Sequence, residues 1–172
     1  MTEPAAVVLR PATSADVDRV TTLFLACWRR SYAEVLPPSV IAVFDESSAR
    51  ALWTRALTTP RPGSSGIVAE LPGTGVAGIV RLGEDPDEPG TGHIFSLYVD
   101  PDVQGAGVGG RLLSAAVERM RDAGRAQVTL WVFAANTSAR AFYARHGFHP
   151  DGGERVEPEF GEPELRLRRD PA

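Results

Sequence analysis

The chain has 172 residues, 43% of them hydrophobic, which suits one globular domain over residues 1–172 with a sizeable core. Its formal net charge of −4 argues against a nucleic-acid partner, because proteins that bind nucleic acids are usually basic. No run of about 18 apolar residues predicts a membrane span, no signal peptide is visible, and the single cysteine, Cys27, suits a reducing cytoplasm.

The first half of the chain predicts one strand, two helical regions and a hairpin. The strand covers 7–10, and Thr13 with Asp16 resembles an N-cap pair for a helix over about 14–30. Cys27 falls on the apolar face of that helix, which favours a small core residue over a nucleophile. A second helical region follows through 40–44 and 49–57, and strands over 67–70 and 76–82 form the hairpin.

The second half alternates strands with helices. Residues 84–92 are acidic and rich in Pro and Gly, which predicts a mobile loop before a strand over 94–99. A helix from Val108 ends at Gly124, and a strand covers 127–133. Asn136 or Thr137 caps a short helix that Gly147 ends, and the last strand covers 164–168. This order predicts a single mixed α/β sheet with helices on both faces.

A glycine-rich loop joins the strand over 94–99 to the helix that begins at Val108. Four glycines within 105–110 let backbone N–H groups turn inward, and the helix N-terminus adds its positive dipole end, so the loop predicts an anion site. A nucleotide P-loop needs Lys-Ser/Thr after its last glycine, whereas this run ends in Arg111 and the chain has no lysine. A dinucleotide fingerprint is formally present, but the ribose-binding acid that should end a second strand is missing.

The remaining interpretation rests on two motifs. Gln104-x-x-Gly107-x-Gly109, with the strand before it, resembles the acyl-CoA signature of the GNAT superfamily of N-acyltransferases. The superfamily's second motif is similar to Asn136-x-x-Ala139-x-x-Phe142-Tyr143-x-x-x-Gly147-Phe148. The resemblance covers nearly the whole chain. It implies the acyl-CoA N-acyltransferase fold: one mixed, largely antiparallel sheet with helices on both faces and a splayed central strand pair.

The resemblance also implies which residues bind acetyl-CoA as co-substrate. The free backbone groups of the splayed strand would pair with the pantetheine arm, and the glycine loop would hold the pyrophosphate. Arg111 would add charge to the phosphates or remain a solvated first-turn arginine, and Asn136 would hydrogen-bond the arm, cap its helix, or both. The expected acetyl-CoA-binding residues are Leu97, Tyr98, Val99, Gln104, Gly105, Ala106, Gly107, Val108, Gly109, Gly110, Arg111, Asn136 and Tyr143.

For catalysis, the resemblance implies that Tyr143 is the general acid that protonates the departing thiolate. A phenol with a pKa near ~10 is a proton donor at neutral pH, although a core tyrosine is the alternative. Many relatives use a glutamate as base where this chain has His93, which is either the base or a surface histidine. Glu34, Glu70 or an ordered water are the other candidates. The three histidines and one cysteine lack metal-ligand spacing, so no metal is expected.

The acceptor site implied by the resemblance comprises Trp28, Tyr32, Glu34 and the segment 151–163. That segment is acidic, and it is either a solvated loop or a funnel for a cationic amine. The expected reaction moves an acetyl group from acetyl-CoA to a primary amine, a small molecule rather than a protein N-terminus or lysine. A non-catalytic acyl-CoA-binding regulatory module and a nucleotide-binding protein are the rival functions. A homodimer is one assembly that the sequence leaves open.

Overall fold

The computed structural model describes residues 6–170. The strands are β1 (Val8–Pro11), β2 (Ser65–Leu71), β3 (Gly75–Glu84), β4 (Gly92–Val99), β5 (Val128–Phe133), β6 (Phe148–Val156) and β7 (Pro163–Arg169). The helices are α1 (Val17–Ala26), α2 (Pro38–Ile41), α3 (Glu46–Thr58), α4 (Val108–Asp122) and α5 (Thr137–Arg145), and a π-helical turn over Cys27–Ser31 extends α1. Among these residues, no helix has the length and apolar composition that crossing a bilayer requires.

The strands form one seven-stranded sheet in the order β1-β2-β3-β4-β5-β7-β6. Every neighbouring pair is antiparallel except β4 and β5, which run parallel. Two cores flank the sheet, one beneath α4 and one beneath α1 and α3, so the helices cover both faces. The predicted fold class, a mixed and largely antiparallel sheet between helical layers, is confirmed.

The two central strands separate soon after they meet. β4 and β5 pair only where Gly92, His93 and Ile94 face Val128, Thr129 and Leu130. Beyond Ile94 the two strands have no backbone pairing with each other, while β5 stays paired with β7 along its whole length. The predicted splayed central pair is therefore present, and it opens a gap in the middle of the sheet.

A β-bulge interrupts β4 at the start of this gap. Opposite it on β3, Arg81 pairs with Ser96 and Leu82 pairs with Ile94, so Phe95 has no partner. An extra residue on one strand shifts the side-chain alternation by one position. As a result Ile94, Leu97 and Val99 pack on the α4 side, whereas Tyr98 packs beneath α1 and α3.

The terminal region departs from the sequence prediction. Residues 151–163 were expected to form a loop, but β6 extends through Val156 and pairs antiparallel with β7. Pro150, Gly152 and Gly153 are residue types that disfavour strands, and most of β6 is exposed at the edge of the sheet. The sequence of β6 therefore shows no alternation of apolar and polar residues, because an edge strand that buries few side chains does not require it.

Candidate active site

A cleft of about 1580 Å³ opens where β4 and β5 diverge. Its walls come from both splayed strands, the π-helical turn after α1, the glycine loop before α4, and α5. Most residues singled out from the sequence line it, among them Tyr143, His93 and Asn136. Ala106 and Arg111 do not line it, and the Arg111 side chain is exposed to solvent.

The glycine loop presents open backbone to this cleft. Gly105 and Gly107 have φ angles of 89° and 81°, a left-handed conformation that glycine adopts without steric cost. A Cβ built at either position would meet nothing within 4 Å. Helix α4 begins at Val108 with no side-chain cap, and the N–H groups of a first helical turn have no acceptor within the helix. These donors and the helix dipole suit a bound anionic group.

The splayed strand is tied to the loop and to α1 through one carbonyl. The backbone oxygen of Val99 accepts hydrogen bonds from Gln104 Nε2 at 3.2 Å and from the Cys27 thiol at 3.0 Å. The Gln104 side chain thus holds the loop against β4. Burial raises the pKa of Cys27 to about 12, so the thiol stays protonated at neutral pH and is a poor nucleophile.

Helix α5 brings two predicted residues to the cleft. The Asn136 side-chain oxygen caps the helix by accepting from the Ala139 N–H at 3.1 Å. The Tyr143 ring packs against Phe142 and Phe148, with ring centroids 5.3 and 5.8 Å away. Burial raises the pKa of Tyr143, so its hydroxyl is protonated at neutral pH. None of the described residues hydrogen-bonds that hydroxyl, which is free to donate into the cleft.

His93 belongs to a buried chain of polar groups. Its Nδ1 lies 2.7 Å from the Thr129 hydroxyl on β5, and that hydroxyl lies 2.5 Å from Asp85 Oδ2. Asp85 precedes β4 and is itself buried, so the loop expected to be mobile is anchored at this residue. Hydrogen bonds from Thr129 and from the Asp87 N–H hold the pKa of Asp85 below its usual range, against the opposing effect of burial.

These contacts fix the tautomer of His93. An ionised Asp85 can only accept hydrogen bonds, so the Thr129 hydroxyl donates its one proton to that carboxylate. The hydroxyl oxygen then accepts a hydrogen bond from His93. Nδ1 therefore carries the ring proton, and the Nε2 lone pair is left free on a side chain that lines the cleft. Burial lowers the pKa of His93, which keeps the imidazole neutral near pH 7. A neutral imidazole with a free Nε2 can accept a proton.

The predicted acceptor residues lie in an aromatic wall of the cleft. Trp28 contacts Tyr32 edge-on with centroids 5.0 Å apart, and it stacks on Phe160 at 5.6 Å. Glu34 lines the cleft at an exposed position. Glu70, another candidate base, lies outside the cleft lining and is bound to Arg10 at 2.6 Å.

The acidic segment does not bring its carboxylates to the cleft. From residues 151–163, only Arg155 and Phe160 line it. Asp151 is bound by Arg166 at 2.7 Å, and Glu157 lies 3.0 Å from Arg155. The segment therefore supplies a cation and an aromatic ring to the cleft lining, and the position of its carboxylates outside that lining favours the solvated alternative over the funnel.

Sequence reasoning missed several polar residues that the fold gathers here. Asp85, in the loop between β3 and β4, lies 44 positions before Thr129 of β5, and the two residues meet only in the folded protein. Arg81 lines the same cleft from β3. No local pattern marks any of these three residues. Within residues 6–170, no group of three or more His, Cys, Asp or Glu side chains is arranged to hold a metal ion.

Comparisons with known proteins agree with this geometry. A family model described as the acetyltransferase (GNAT) family matches residues 18–148. A protein of Mycobacterium tuberculosis named "Probable N-acetyltransferase" is 31% identical over 153 residues, which cover 87% of this chain and 84% of that protein. A shorter match to the mycothiol acetyltransferase of Saccharopolyspora erythraea is 46% identical over 59 residues, which cover 34% of this chain and 20% of that protein.

Solved structures share the whole fold. The PaiA N-acetyltransferase of Thermoplasma acidophilum, solved in complex with coenzyme A, superposes with a TM-score of 0.75 at 15% identity and covers 96% of this chain and 99% of its own. A GCN5-related N-acetyltransferase of Rhodopseudomonas palustris gives 0.79 at 20% identity and covers 99% of each chain. At such identities the likeness concerns the fold alone.

Proposed function

Because this chain belongs to the acetyltransferase (GNAT) family, we propose that it transfers an acetyl group from acetyl-CoA to a primary amine, with both substrates bound in the cleft. The observation that carries this proposal is that one cleft is lined by the open glycine loop, the protonated Tyr143 and His93 with its free Nε2. A binding module would need only the loop.

The residues of the cleft fit acetyl-CoA, which supplies an activated thioester when bound. The first-turn N–H groups of α4, with Gly105 and Gly107, would hold the pyrophosphate. The edge of β4 that faces β5 is unpaired beyond Ile94 and offers backbone hydrogen bonds to the pantetheine arm, with Leu97 and Tyr98 contributing through their backbone. The side chains of both residues pack in the cores instead.

Two proton transfers are needed, and two residues suit them. His93 Nε2 accepts the proton that the attacking amine loses, while Thr129 and Asp85 hold the ring in the required tautomer. The Tyr143 hydroxyl gives its proton to the departing sulfur. The acetyl group passes directly to the amine, since the protonated thiol of Cys27 does not favour an acyl-enzyme.

A small-molecule acceptor fits this cleft better than a protein segment. The candidate base is 6% exposed, and the cleft lining includes the stacked rings of Trp28 and Phe160. A lysine or an N-terminus of a folded protein would have to reach this buried side chain. We therefore favour a small primary amine that is bound entirely within the cleft. We also propose that the protein works in the cytoplasm.

A thermal-shift panel with acetyl-CoA, CoA, ATP and NAD tests the proposal against its rivals, because a ligand that binds only the native state raises the melting temperature. We expect shifts with CoA and acetyl-CoA only. A shift with ATP or NAD but not CoA would favour a nucleotide-binding protein. Release of CoA that depends on an added amine would separate an enzyme from a binding module.

A further inference from the structure

Arg81 is a partly buried cation without a counter-charge. It projects from β3 into the cleft, with its guanidinium carbon 6.0 Å from the Trp53 ring centroid and 5.8 Å from that of Phe95. None of the described residues forms a salt bridge or hydrogen bond with it, and the charged side chain that acts on its guanidinium, Arg61, is another cation. The other arginines that lack such partners are exposed to solvent. Burying an unpaired charge is costly, so this one needs a functional reason.

A second unsatisfied polar group lies beside it. Ser96 is directly opposite Arg81 in the β3–β4 register, so the two side chains lie on the same face of the sheet. The Ser96 hydroxyl is buried and has no hydrogen-bond partner among the described residues, yet Ser96 lines the cleft. A guanidinium and a neighbouring hydroxyl, both without partners, form a donor set that matches an oxyanion.

This donor set adjoins the candidate base. The Phe95 ring contacts Arg81 on one hand and His93 on the other, with the His93 and Phe95 centroids 5.0 Å apart. The β4 bulge brings this about, because the extra residue in the strand lets the consecutive residues Phe95 and Ser96 both lie on the side of Arg81. A molecule whose amine reaches His93 therefore lies near Arg81, because both side chains contact the same Phe95 ring.

We propose that Arg81 and Ser96 form a carboxylate-binding subsite, so that the acceptor is an amino acid or a similar amine that carries a carboxylate. The inference rests on the proposed function and narrows its acceptor class. It replaces the cationic-amine funnel, because Arg61 joins Arg81 in the cleft lining without an acidic partner among the described residues, whereas the carboxylates of the acidic segment lie outside that lining.

The test compares matched acceptors in the wild-type protein and in two variants. The acceptors are the linear ω-amino acids from glycine to 6-aminohexanoate, the L-α-amino acids, the carboxamide of each, which replaces the carboxylate by a neutral amide, and simple primary alkylamines. The variants are Arg81→Met, which keeps length without charge, and Arg119→Met, a control at an exposed position on α4 outside the cleft. Initial rates of CoA release give kcat/KM, and the melting temperature is measured without ligand.

We expect wild-type protein to prefer at least one amino carboxylate over its carboxamide by about tenfold or more. Arg81→Met should abolish that preference, leave the KM for acetyl-CoA unchanged, and melt close to the Arg119→Met control, because the lost cation formed no ion pair or hydrogen bond and the Met side chain keeps the packing against Trp53 and Phe95. A clear fall in the melting temperature would make Arg81 structural and overturn the subsite.

Two other outcomes separate this inference from the proposed function. If carboxamides and simple amines are acetylated as well as the amino carboxylates, the subsite is wrong and the acetyltransferase function stands. If acetyl-CoA binds but none of the acceptors releases CoA, the proposed function fails and this inference fails with it.

Discussion

A pair of glycines at the two ends of α4 allows the phosphate-binding role of the loop to be tested against a matched control. Gly107 precedes the helix with a φ of 81°, and Gly124 follows it with a φ of 80°. A Cβ at either position would meet nothing within 4 Å, so a side chain costs backbone strain but causes no clash. Placing a non-glycine residue in the left-handed region costs roughly 1–2 kcal/mol.

Gly107→Glu and Gly124→Glu should therefore lose similar stability, about 2–8 °C in melting temperature for a chain of this size. Their CoA affinities should differ widely, because only the first glutamate lies in the cleft beside the free N–H groups. One added charge about 4 Å from a phosphate costs ~4 kcal/mol at an effective dielectric constant near 20, or roughly 10³-fold in Kd. Isothermal titration calorimetry with CoA measures both variants. Equal CoA affinities in the two folded variants would refute the loop as the phosphate site.

Three further predictions concern the groups around the reaction. Tyr143→Phe should keep the acetyl-CoA Kd, since the ring still packs on Phe148, but should lower kcat at least about tenfold through loss of the proton donor; an unchanged kcat removes Tyr143 from the mechanism. Because burial holds the pKa of His93 below the 6.5 of an unfolded histidine, the unfolded chain takes up this proton first on acidification. The free energy of unfolding should thus be highest above about pH 6.5 and fall below that pH by up to ~1.4 kcal/mol per pH unit. Denaturant titrations should show a smaller fall in His93→Gln than in the exposed control His149→Gln. Asp85→Ala should lower kcat more than it changes the KM of acetyl-CoA, since it frees the Thr129 hydroxyl to donate to Nδ1 and disrupts the tautomer; parallel changes in both constants would count against a positioning role.

The sequence predicted those parts of the site that local patterns encode. Gly105 and Gly107 are recognisable because left-handed turns before a helix require glycine. Asn136 is recognisable as a helix cap, whereas Tyr143 was singled out through its place in the family's second motif. The splayed strand pair came from family resemblance alone, because nothing in the composition of β4 or β5 reports where their pairing ends.

The parts that the sequence could not predict arise from contacts between distant strands. The bulge at Phe95 depends on the register of β3 against β4, and it determines which residues share a face with His93. Strict alternation would instead have placed Ile94 beside Ser96. The sequence around Asp85 did not indicate a buried residue, because its Pro and Gly content is typical of a surface loop. The burial of Asp85 depends on its contact with Thr129 on β5.

Direct transfer from acetyl-CoA to an amine inside the cleft can be tested by initial-rate kinetics with both substrates varied and the acetylated amine quantified by mass spectrometry. We expect intersecting double-reciprocal lines, one acetylated amine for each CoA released, and no acetyl group on Cys27. Parallel lines with an acetylated protein, or tight acetyl-CoA binding without amine-dependent CoA release, would contradict it.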